Sequence, residues 1–247
     1  MNEFYDLEAI ICREAFFGEG YGSVGGEEAS KILAGYLRPR KDGGHLNVLD
    51  VGAGLGGFSF FIARIDEPMV KLAQNRLASS DVAEKVKLQV CNVETAEFPA
   101  ESFDAMVWRA SLVHIPVSKK ESVLKRTMKW LKPGGQFISM DLCLANRAED
   151  LQGFQEYLDF MGIECVDIES YKKMLEAVGL KEIFAKEDNA FYLRKTVEEL
   201  ASAEKAKSEV KKCVSERTYQ TQAEYWLNKS KWVEAGAICN AYFVAHK

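Results

Sequence analysis

The sequence of 247 residues lacks the features that mark a membrane, secreted or nucleic-acid-binding protein. No uninterrupted apolar run approaches the roughly 20 residues that a membrane helix requires, and residues 1–6 lack the basic and then apolar segments of a signal peptide. The six cysteines include no CxxC pair, which argues against a zinc site or a disulfide framework and indicates a reducing, cytoplasmic setting. With a net charge of −5, the chain is not expected to bind nucleic acid, so we expect a small-molecule ligand.

Segments typical of strands and helices alternate along the chain. The predicted strands are 46–51, 86–90, 103–108, 136–144, 180–185 and 237–245, and the predicted helices are 27–37, 118–131, 167–178 and 196–217. Ser118 and Glu121 form a capping-box pattern, and Asp167 is a second candidate helix cap. This alternation predicts a mainly parallel sheet with helices on both faces.

A glycine-rich turn lies between a predicted strand and a predicted helix at residues 48–57 (VLDVGAGLGG). Glycine permits positive φ angles and a close approach of a ligand to the backbone. In an open α/β sheet, ligands bind at the carboxyl ends of the strands. A tight turn without a ligand is the alternative, because the G-x-G-x-G-G pattern alone is a weak signal.

Residues 48–57 resemble the first motif of class I S-adenosylmethionine (AdoMet) methyltransferases, and residues 130–135 (WLKPGG) resemble the turn before their fifth strand. Residues 17–26 (FGEGYGSVGG) and 109–115 (RASLVHI) are similar to two segments of phosphoethanolamine (phosphobase) N-methyltransferases. The resemblance implies an α/β, Rossmann-like class I methyltransferase with a mostly parallel central sheet. It also implies one domain over 1–247, with an N-terminal lid at 1–26 and a core at 27–247 that ends in a helix and a strand.

The cofactor implied by the resemblance is AdoMet, and no metal ligands are expected. Asp50 and the glycines would approach its methionine and ribose, while Gly22 and Ser23 would fold over it as part of the lid. Asn92 replaces the family's aspartate at the adenine amine, where an amide carbonyl still accepts a hydrogen bond without charge assistance. The residues expected to bind the cofactor are Gly22, Ser23, Asp50, Gly52, Gly54, Gly56, Asp66, Asn92, Val93 and Arg109.

The resemblance also implies a catalytic dyad of Tyr5 and His114. A free alkyl amine has a pKa near ~10.4, so well under ~1% is neutral at pH 7 and a proton acceptor assists its methylation. Without the resemblance, His114 would be interpreted as a structural histidine in a turn. Tyr157 and Lys229 match the family's phosphate-contacting tyrosine and lysine, with solvated surface side chains as the alternative.

The crossover after the glycine turn is shorter than in the family. Only residues 63–68 separate two predicted helices, which leaves no room for the usual second strand and the acidic residue at its end. Asp66 or Glu67 would then have to reach the ribose hydroxyls. We therefore expect weak AdoMet binding relative to a family member with the full crossover.

Four further departures concern the methyl acceptor. Ala110 replaces an aspartate that faces the substrate amine, and Met161, Ile163 and Leu142 replace an arginine and two tyrosines at the phosphate. Methionine cannot supply the bidentate fork of arginine. These changes predict weak use of phosphoethanolamine and a preference for a less polar acceptor.

Three functions are therefore considered. The preferred one is AdoMet-dependent N-methylation of a small amine, phosphoethanolamine or a related phosphobase, by a monomeric enzyme without membrane insertion. The second is methylation of a less charged small acceptor by the same dyad. The third is a catalytically impaired binding or regulatory protein on the same fold.

Overall fold

The computed structural model describes residues 7–54, 85, 87, 89, 91–146 and 152–247. Five strands in this part of the chain form one sheet in the order β1-β2-β3-β5-β4. The strands are β1 (Val48–Val51), β2 (Phe103–Arg109), β3 (Leu131–Leu144), β4 (Lys181–Glu187) and β5 (Ile238–His246).

Four of these strands run in the same direction. β1, β2 and β3 are parallel, and β5 is antiparallel to both β3 and β4. Val51 is paired with Trp108, and Arg109 with Met140. The carboxyl ends of β1, β2 and β3 therefore meet at one edge, as the predicted mostly parallel sheet requires.

Seven α-helices surround the described sheet. They are α1 (Leu7–Phe17), α2 (Gly26–Gly35), α3 (Val117–Thr127), α4 (Phe154–Met161), α5 (Ile168–Ala177), α6 (Asn189–Val210) and α7 (Glu216–Glu234), and a short 3₁₀ helix spans Leu112–His114. No helix in the described residues is both long enough and apolar enough to cross a membrane.

Side chains of the central strands alternate between two buried layers, as a pleated strand requires. Met106 and Trp108 of β2 pack with Leu124 of α3 and belong to one cluster. Ala105 and Val107 point to the opposite face, where they join Leu33 of α2 in a second cluster. Helices therefore cover both faces of the sheet, as predicted.

A third cluster, which we call the aromatic cluster, lies among α1, α4, α6 and α7. Its buried aromatic members include Phe17, Tyr157, Tyr192, Trp226 and Trp232. Tyr157 stacks on Tyr225 with ring centroids 6.1 Å apart.

The structure corrects the predicted ends of α3. Its N-cap is Pro116, which has no side-chain cap, and Ser118 lies inside the helix rather than capping it. Proline sets its own φ near −65°, which favours helix entry at this point. The helix ends at Thr127, and residues 131–135 belong to β3 because Phe103 pairs with Leu131.

The predicted helix 196–217 is also wrong, because two helices occupy this region. α6 already begins at Asn189 and ends at Val210, and Ser215 caps the start of α7 by accepting a hydrogen bond from the Thr218 N–H. The Glu8 carboxylate also accepts a hydrogen bond from the Ser215 N–H at 3.0 Å. This side-chain capping stabilises the break between α6 and α7. The charged, helix-favouring sequence of this region does not indicate such a break.

The predicted N-cap at Asp167 is confirmed, since its carboxylate accepts a 2.8 Å hydrogen bond from the Ser170 N–H. The predicted strand 86–90 lies partly outside the described residues, and Lys87 and Gln89, which are described, are not in a strand. The short crossover at 63–68 lies outside the described residues.

Candidate active site

Asp50 and Arg109 lie at adjacent strand ends, on β1 and β2. Asp50 is 1% exposed, and burial raises the pKa of its carboxyl to about 8, against the opposing effect of the Arg109 charge. The Arg109 guanidinium donates hydrogen bonds to Ser30 Oγ at 2.7 Å and to the Val24 carbonyl at 3.1 Å. Arg109 is thus buried and is not a surface cation.

Asp50 and Arg109 each have one buried polar atom without a hydrogen-bond partner among the described residues. These atoms are Asp50 Oδ2 and Arg109 Nε. Buried polar atoms of this kind are rare in folded proteins and call for a partner. An acceptor and a cationic donor beside a glycine turn suit a ligand that carries both an ammonium and a carboxylate.

The turn after β1 requires glycine at position 52. Gly52 has a φ of +78°, and a Cβ added there would lie 2.6 Å from the Cβ of Ser111. Ser111 is held in place because its hydroxyl donates to the Val51 carbonyl at 2.8 Å. Gly54 also has a positive φ, of +59°, but a Cβ there would meet no atom of the described residues within 4 Å.

Gly52→Ala should therefore destabilise the protein more than Gly54→Ala. Both variants strain a left-handed residue, at roughly 1–2 kcal/mol, and only Gly52→Ala adds a clash with Ser111. At roughly 2–4 °C per kcal/mol for a chain of this size, Gly52→Ala should lower the Tm by more than ~4 °C. Equal Tm values for the two variants, measured by circular dichroism, would contradict this account.

Residues 21–25 of the predicted lid segment lie over the end of β2. The Arg109 guanidinium lies 5.4 Å from the centroid of the Tyr21 ring and contacts the Val24 carbonyl. The Gly25 N–H donates to Glu199 Oε1 of α6 at 2.7 Å. A Cβ on Gly22 would meet no described atom within 4 Å, so the backbone there is open to a ligand. The lid function of Gly22 and Ser23 stays a prediction.

Asn92 and Val93 follow the predicted strand 86–90. Asn92 Oδ1 accepts a hydrogen bond from the Glu94 N–H at 2.9 Å, which forms a local turn, and Val93 is buried. An amide oxygen has two lone pairs, so this bond leaves one acceptor site on Asn92. The predicted adenine contact therefore stays a prediction.

His114 ends the 3₁₀ helix that follows β2. Its Nδ1 lies 3.4 Å from the Gly162 carbonyl, which indicates that Nδ1 carries the proton and that Nε2 is the basic nitrogen of the ring. Burial lowers the pKa of the imidazole to about 4, and the nearby charges of Arg13 and Lys229 act in the same direction. His114 and Ile163 also line a cavity of about 280 Å³. The imidazole is thus neutral at pH 7 and able to accept a proton.

Lys120 lies beneath the turn that carries His114. It is 2% exposed, and its Nζ donates to the Leu112 carbonyl at 2.6 Å and the Ile115 carbonyl at 2.7 Å. Burial lowers the pKa of Lys120, and the Asp141 carboxylate opposes that shift. The two hydrogen bonds fix the ends of the turn and so the position of His114.

Tyr157 and Lys229 are both buried in the aromatic cluster, so the alternative of solvated surface residues is wrong. Lys229 Nζ lies 4.8 Å from the Trp226 ring and 5.7 Å from the Tyr192 ring. Burial lowers the pKa of Lys229 to about 8, and the positive charge of Arg13 adds to this effect. The residues that replace the family's phosphate ligands belong to the same cluster; they are Leu142, Met161 and Ile163.

Four buried polar residues near the site were not predicted from the sequence, namely Arg13, Lys120, Tyr192 and Glu199. One signal for Arg13 was present in the sequence, because it shares the buried face of α1 with Ala9, Phe16 and Phe17. A lone cation on an apolar helix face requires a buried partner or a ligand. Among the predicted site residues, Tyr5, Gly56 and Asp66 lie outside the described residues, so the pairing of Tyr5 with His114 stays a prediction.

The buried ionisable groups predict how stability depends on pH. Burial raises the carboxyl pKa values of Asp50 to about 8, and of Asp141 and Glu199 to about 7, so the folded state binds these protons more tightly than the unfolded chain. The lowered pKa of His114 has the opposite effect, but mainly below about pH 6.5, its value in the unfolded chain. The free energy of unfolding should therefore fall as the pH rises from about 6 to about 7.5.

Urea unfolding of the cofactor-free protein tests this pH dependence. Asp50→Asn removes the carboxyl with the most strongly raised pKa of the three and should make the fall with pH shallower. The exposed Asp42→Asn variant is the control, because the pKa of Asp42 is lowered rather than raised. A wild-type stability that increases over this pH range would contradict the assignment.

Known methyltransferases share the fold of this chain. The family described as "Methyltransferase domain" matches residues 48–135, from β1 to the first part of β3. The solved structure of Haemonchus contortus phosphoethanolamine N-methyltransferase 2, in complex with phosphomonomethylethanolamine and S-adenosylhomocysteine, matches with a TM-score of 0.90 and 21% identity. That match covers 99% of this chain and 58% of the other. The chain thus has the Rossmann-like fold of class I methyltransferases, as predicted.

Curated relatives narrow the resemblance. Phosphoethanolamine N-methyltransferase 1 of Triticum aestivum is 30% identical over 256 residues, which cover 100% of this chain and 50% of that protein. Phosphoethanolamine N-methyltransferase of Plasmodium falciparum is 26% identical over 240 residues, covering 93% of this chain and 88% of that protein. The chain therefore resembles phosphobase N-methyltransferases, and it spans about half the length of the wheat relative.

Proposed function

We propose that this chain is an AdoMet-dependent N-methyltransferase that acts on a small amine, phosphoethanolamine or a related phosphobase. The observation that carries the proposal is the pair of unpartnered buried atoms, Asp50 Oδ2 and Arg109 Nε, beside the glycine turn. The 3₁₀ helix that follows β2 along the chain carries His114, whose imidazole is neutral at pH 7. The similarity to phosphoethanolamine N-methyltransferases of wheat and Plasmodium falciparum supports the same reaction.

The residues at the ends of β1 and β2 fit the amino-acid end of AdoMet. Asp50 is an acceptor for its ammonium, and Arg109 is a donor for its carboxylate. Gly22 and Ser23 would cover it, while Asn92 and Val93 would contact its adenine. Further along the chain, Gly52, Gly54, Gly56 and Asp66 would contact its methionine and ribose. When bound, AdoMet supplies an electrophilic methyl group.

His114 would provide the acid–base chemistry. Only the neutral amine has the lone pair that attacks a methyl group, so the ammonium form must first lose a proton. His114 Nε2 would accept that proton, directly or through Tyr5, while Nδ1 stays bonded to the Gly162 carbonyl. A base held in this way typically contributes ~10²–10⁴-fold to the rate.

The assembly and setting are part of the proposal. We propose that residues 1–247 act as a single methyltransferase domain, with 1–26 as the lid, and that the chain works as a monomer on a small-molecule amine without nucleic acid. None of the six cysteines forms a disulfide, which supports a reducing, cytoplasmic setting.

A second candidate function is methylation of a less charged acceptor by the same site. Ala110 has lost the family's carboxylate for the amine, and Met161 has lost its guanidinium for the phosphate. Both substitutions weaken recognition of a doubly charged substrate.

Transfer of labelled methyl groups tests both candidates. The purified chain is incubated with methyl-labelled AdoMet and, separately, with phosphoethanolamine, phosphomonomethylethanolamine, ethanolamine and a mixture of alkyl amines that carry no phosphate. Label in the first two acceptors supports the preferred function, and label only in the others supports the second. AdoMet binding without label in any acceptor would support a non-catalytic protein and contradict both.

A further inference from the structure

We infer that Glu199 of α6 is a positioning residue for AdoMet, because its carboxyl group fixes the backbone of residues 23–25 of the lid beside the cofactor end of the site. The inference rests on the proposed function, in which the lid covers AdoMet, and deepens it by assigning the residue that holds the lid in place. Glu199 controls how fast AdoMet leaves the site and takes no part in the chemistry of methyl transfer.

The contact between Glu199 and the lid is direct and buried. Glu199 is 4% exposed, and its Oε1 accepts a 2.7 Å hydrogen bond from the Gly25 N–H. Val24, the preceding lid residue, is 2% exposed. Buried backbone N–H groups are almost always paired in folded proteins, so this bond determines where the Gly25 peptide lies.

Glycine is required at position 25, which leaves the start of α2 without a side-chain cap of its own. Gly25 is the N-cap of α2 and has a φ of +87°. A Cβ there would lie 2.6 Å from the Ala29 Cβ and 2.9 Å from the Phe191 ring. A carboxyl group interacts favourably with the positive end of a helix dipole. Glu199 therefore supplies, from α6, the acceptor that a glycine N-cap cannot provide.

Arg109 holds the same stretch of backbone through its carbonyl groups. The guanidinium donates to the Ser23 carbonyl at 3.4 Å and to the Val24 carbonyl at 3.1 Å. The two carbonyls thus contact a cation, whereas the next N–H along the chain contacts the Glu199 carboxyl group. Because Arg109 is also the proposed donor to the AdoMet carboxylate, the position of the lid is linked to that of the cofactor.

Further contacts align α6 with the start of α2. Phe191, Lys195 and Glu199 are spaced by four residues and so lie on one face of α6. The Phe191 ring lies against Gly25, and Lys195 pairs with Glu28 of α2 at 3.5 Å. The Glu28 carboxylate is half-exposed, and ion pairs of this kind contribute little to stability. The buried bond from Glu199 is therefore the contact that fixes the lid.

A lid that is already positioned before the cofactor binds costs less to order on binding. Loss of the acceptor at position 199 would release the Gly25 peptide, so that the lid opens more often. The contacts of AdoMet with Asp50 would stay the same. The change should therefore lie in the dissociation rate of AdoMet and not in the chemical step.

The test compares Glu199→Leu, which removes the acceptor, with Glu199→Gln, which keeps a carbonyl oxygen at the same position. Glu198→Leu is the matched control, because Glu198 is exposed and pairs with Arg194 and Lys195 of its own helix. Amide hydrogen exchange of the cofactor-free proteins is followed by NMR. The Gly25 N–H should exchange ~5–100-fold faster in Glu199→Leu, as expected for an unpaired buried donor, and at the wild-type rate in the other two variants.

Stopped-flow displacement of AdoMet gives the second readout. The dissociation rate constant should rise by the same ~5–100-fold in Glu199→Leu, while kcat at saturating AdoMet stays close to that of the wild type. A general loss of structure would instead speed exchange throughout α2 and α6. If Glu199→Leu fails to fold by circular dichroism, Glu199→Asp takes its place, because its carboxylate is one methylene shorter and should not reach Gly25.

Two results would overturn the assignment of Glu199. One is wild-type exchange of the Gly25 N–H in the variant that lacks the contact, and the other is an unchanged dissociation rate of AdoMet although Gly25 exchanges faster. Failure of the proposed function would look different, because the dissociation rates would differ as expected while no amine received a methyl group. A wild-type protein that binds no AdoMet would contradict both.

Discussion

His114→Ala should lower the turnover number for methyl transfer by ~10²–10⁴-fold, the usual contribution of a general base. The variant removes Nε2, the only ring nitrogen not engaged with the Gly162 carbonyl, so the amine loses its proton acceptor. AdoMet affinity should change little, because the proposed cofactor contacts come from Asp50 and Arg109. Single-turnover rates with labelled AdoMet and AdoMet titrations measure the two quantities separately.

His45→Ala is the matched control, since His45 is an exposed histidine before the amino end of β1, whereas the proposed site lies at the carboxyl ends of the strands. It should leave both quantities unchanged. Wild-type turnover in His114→Ala would show that another group, such as Tyr5 alone, accepts the proton. A large loss of AdoMet affinity would instead assign His114 to the cofactor site.

Lys120→Met should lower the free energy of unfolding by roughly 2–5 kcal/mol. The Nζ hydrogen bonds to the Leu112 and Ile115 carbonyls would be lost, and each buried unsatisfied acceptor costs about 1–3 kcal/mol. The buried Asp141 carboxyl would also lose a nearby positive charge. Because these bonds fix the turn that carries His114, turnover should fall as well. Urea unfolding and initial rates on the same preparation measure both effects.

Lys119→Met provides the comparison for Lys120→Met. Its exposed ammonium pairs with Glu94 at 3.0 Å, and surface ion pairs of this kind contribute only ~0–1 kcal/mol. Lys119→Met should therefore lower the free energy of unfolding only slightly and leave turnover unchanged. Equal losses for the two variants would show that the bonds beneath the His114 turn do not determine its stability.

Local sequence signals predicted the parallel part of the sheet well. β1 and β2 are short apolar runs, and the glycines after β1 are confined to a turn where Gly52 needs a positive φ. Their order along the chain then places Asp50 and Arg109 at the same edge. The break between α6 and α7 was missed, because it depends on capping by Ser215 and on the Glu8 carboxylate from α1.

The part of the site proposed to bind the methyl acceptor was less predictable, because it too depends on contacts between residues that are distant in the sequence. Arg13 is held in place by a hydrogen bond to Gln222, which lies more than 200 residues further along the chain. Position-by-position resemblance pointed to Met161 as a lost arginine, but it gave no reason to look for a guanidinium on a different helix. The structure places Arg13 and Met161 around the same aromatic cluster.

Calorimetric titration of AdoMet into the wild type and Asp50→Asn tests the central claim most directly. We expect saturable one-to-one binding by the wild type, weaker than in an enzyme with the full crossover. The positive charge of AdoMet favours ionisation of the Asp50 carboxyl on binding. Asp50→Asn should therefore bind ~10–100-fold more weakly, because a hydrogen bond to a charged group contributes roughly 1.5–3 kcal/mol. A wild-type protein that shows no saturable binding of AdoMet would contradict the account.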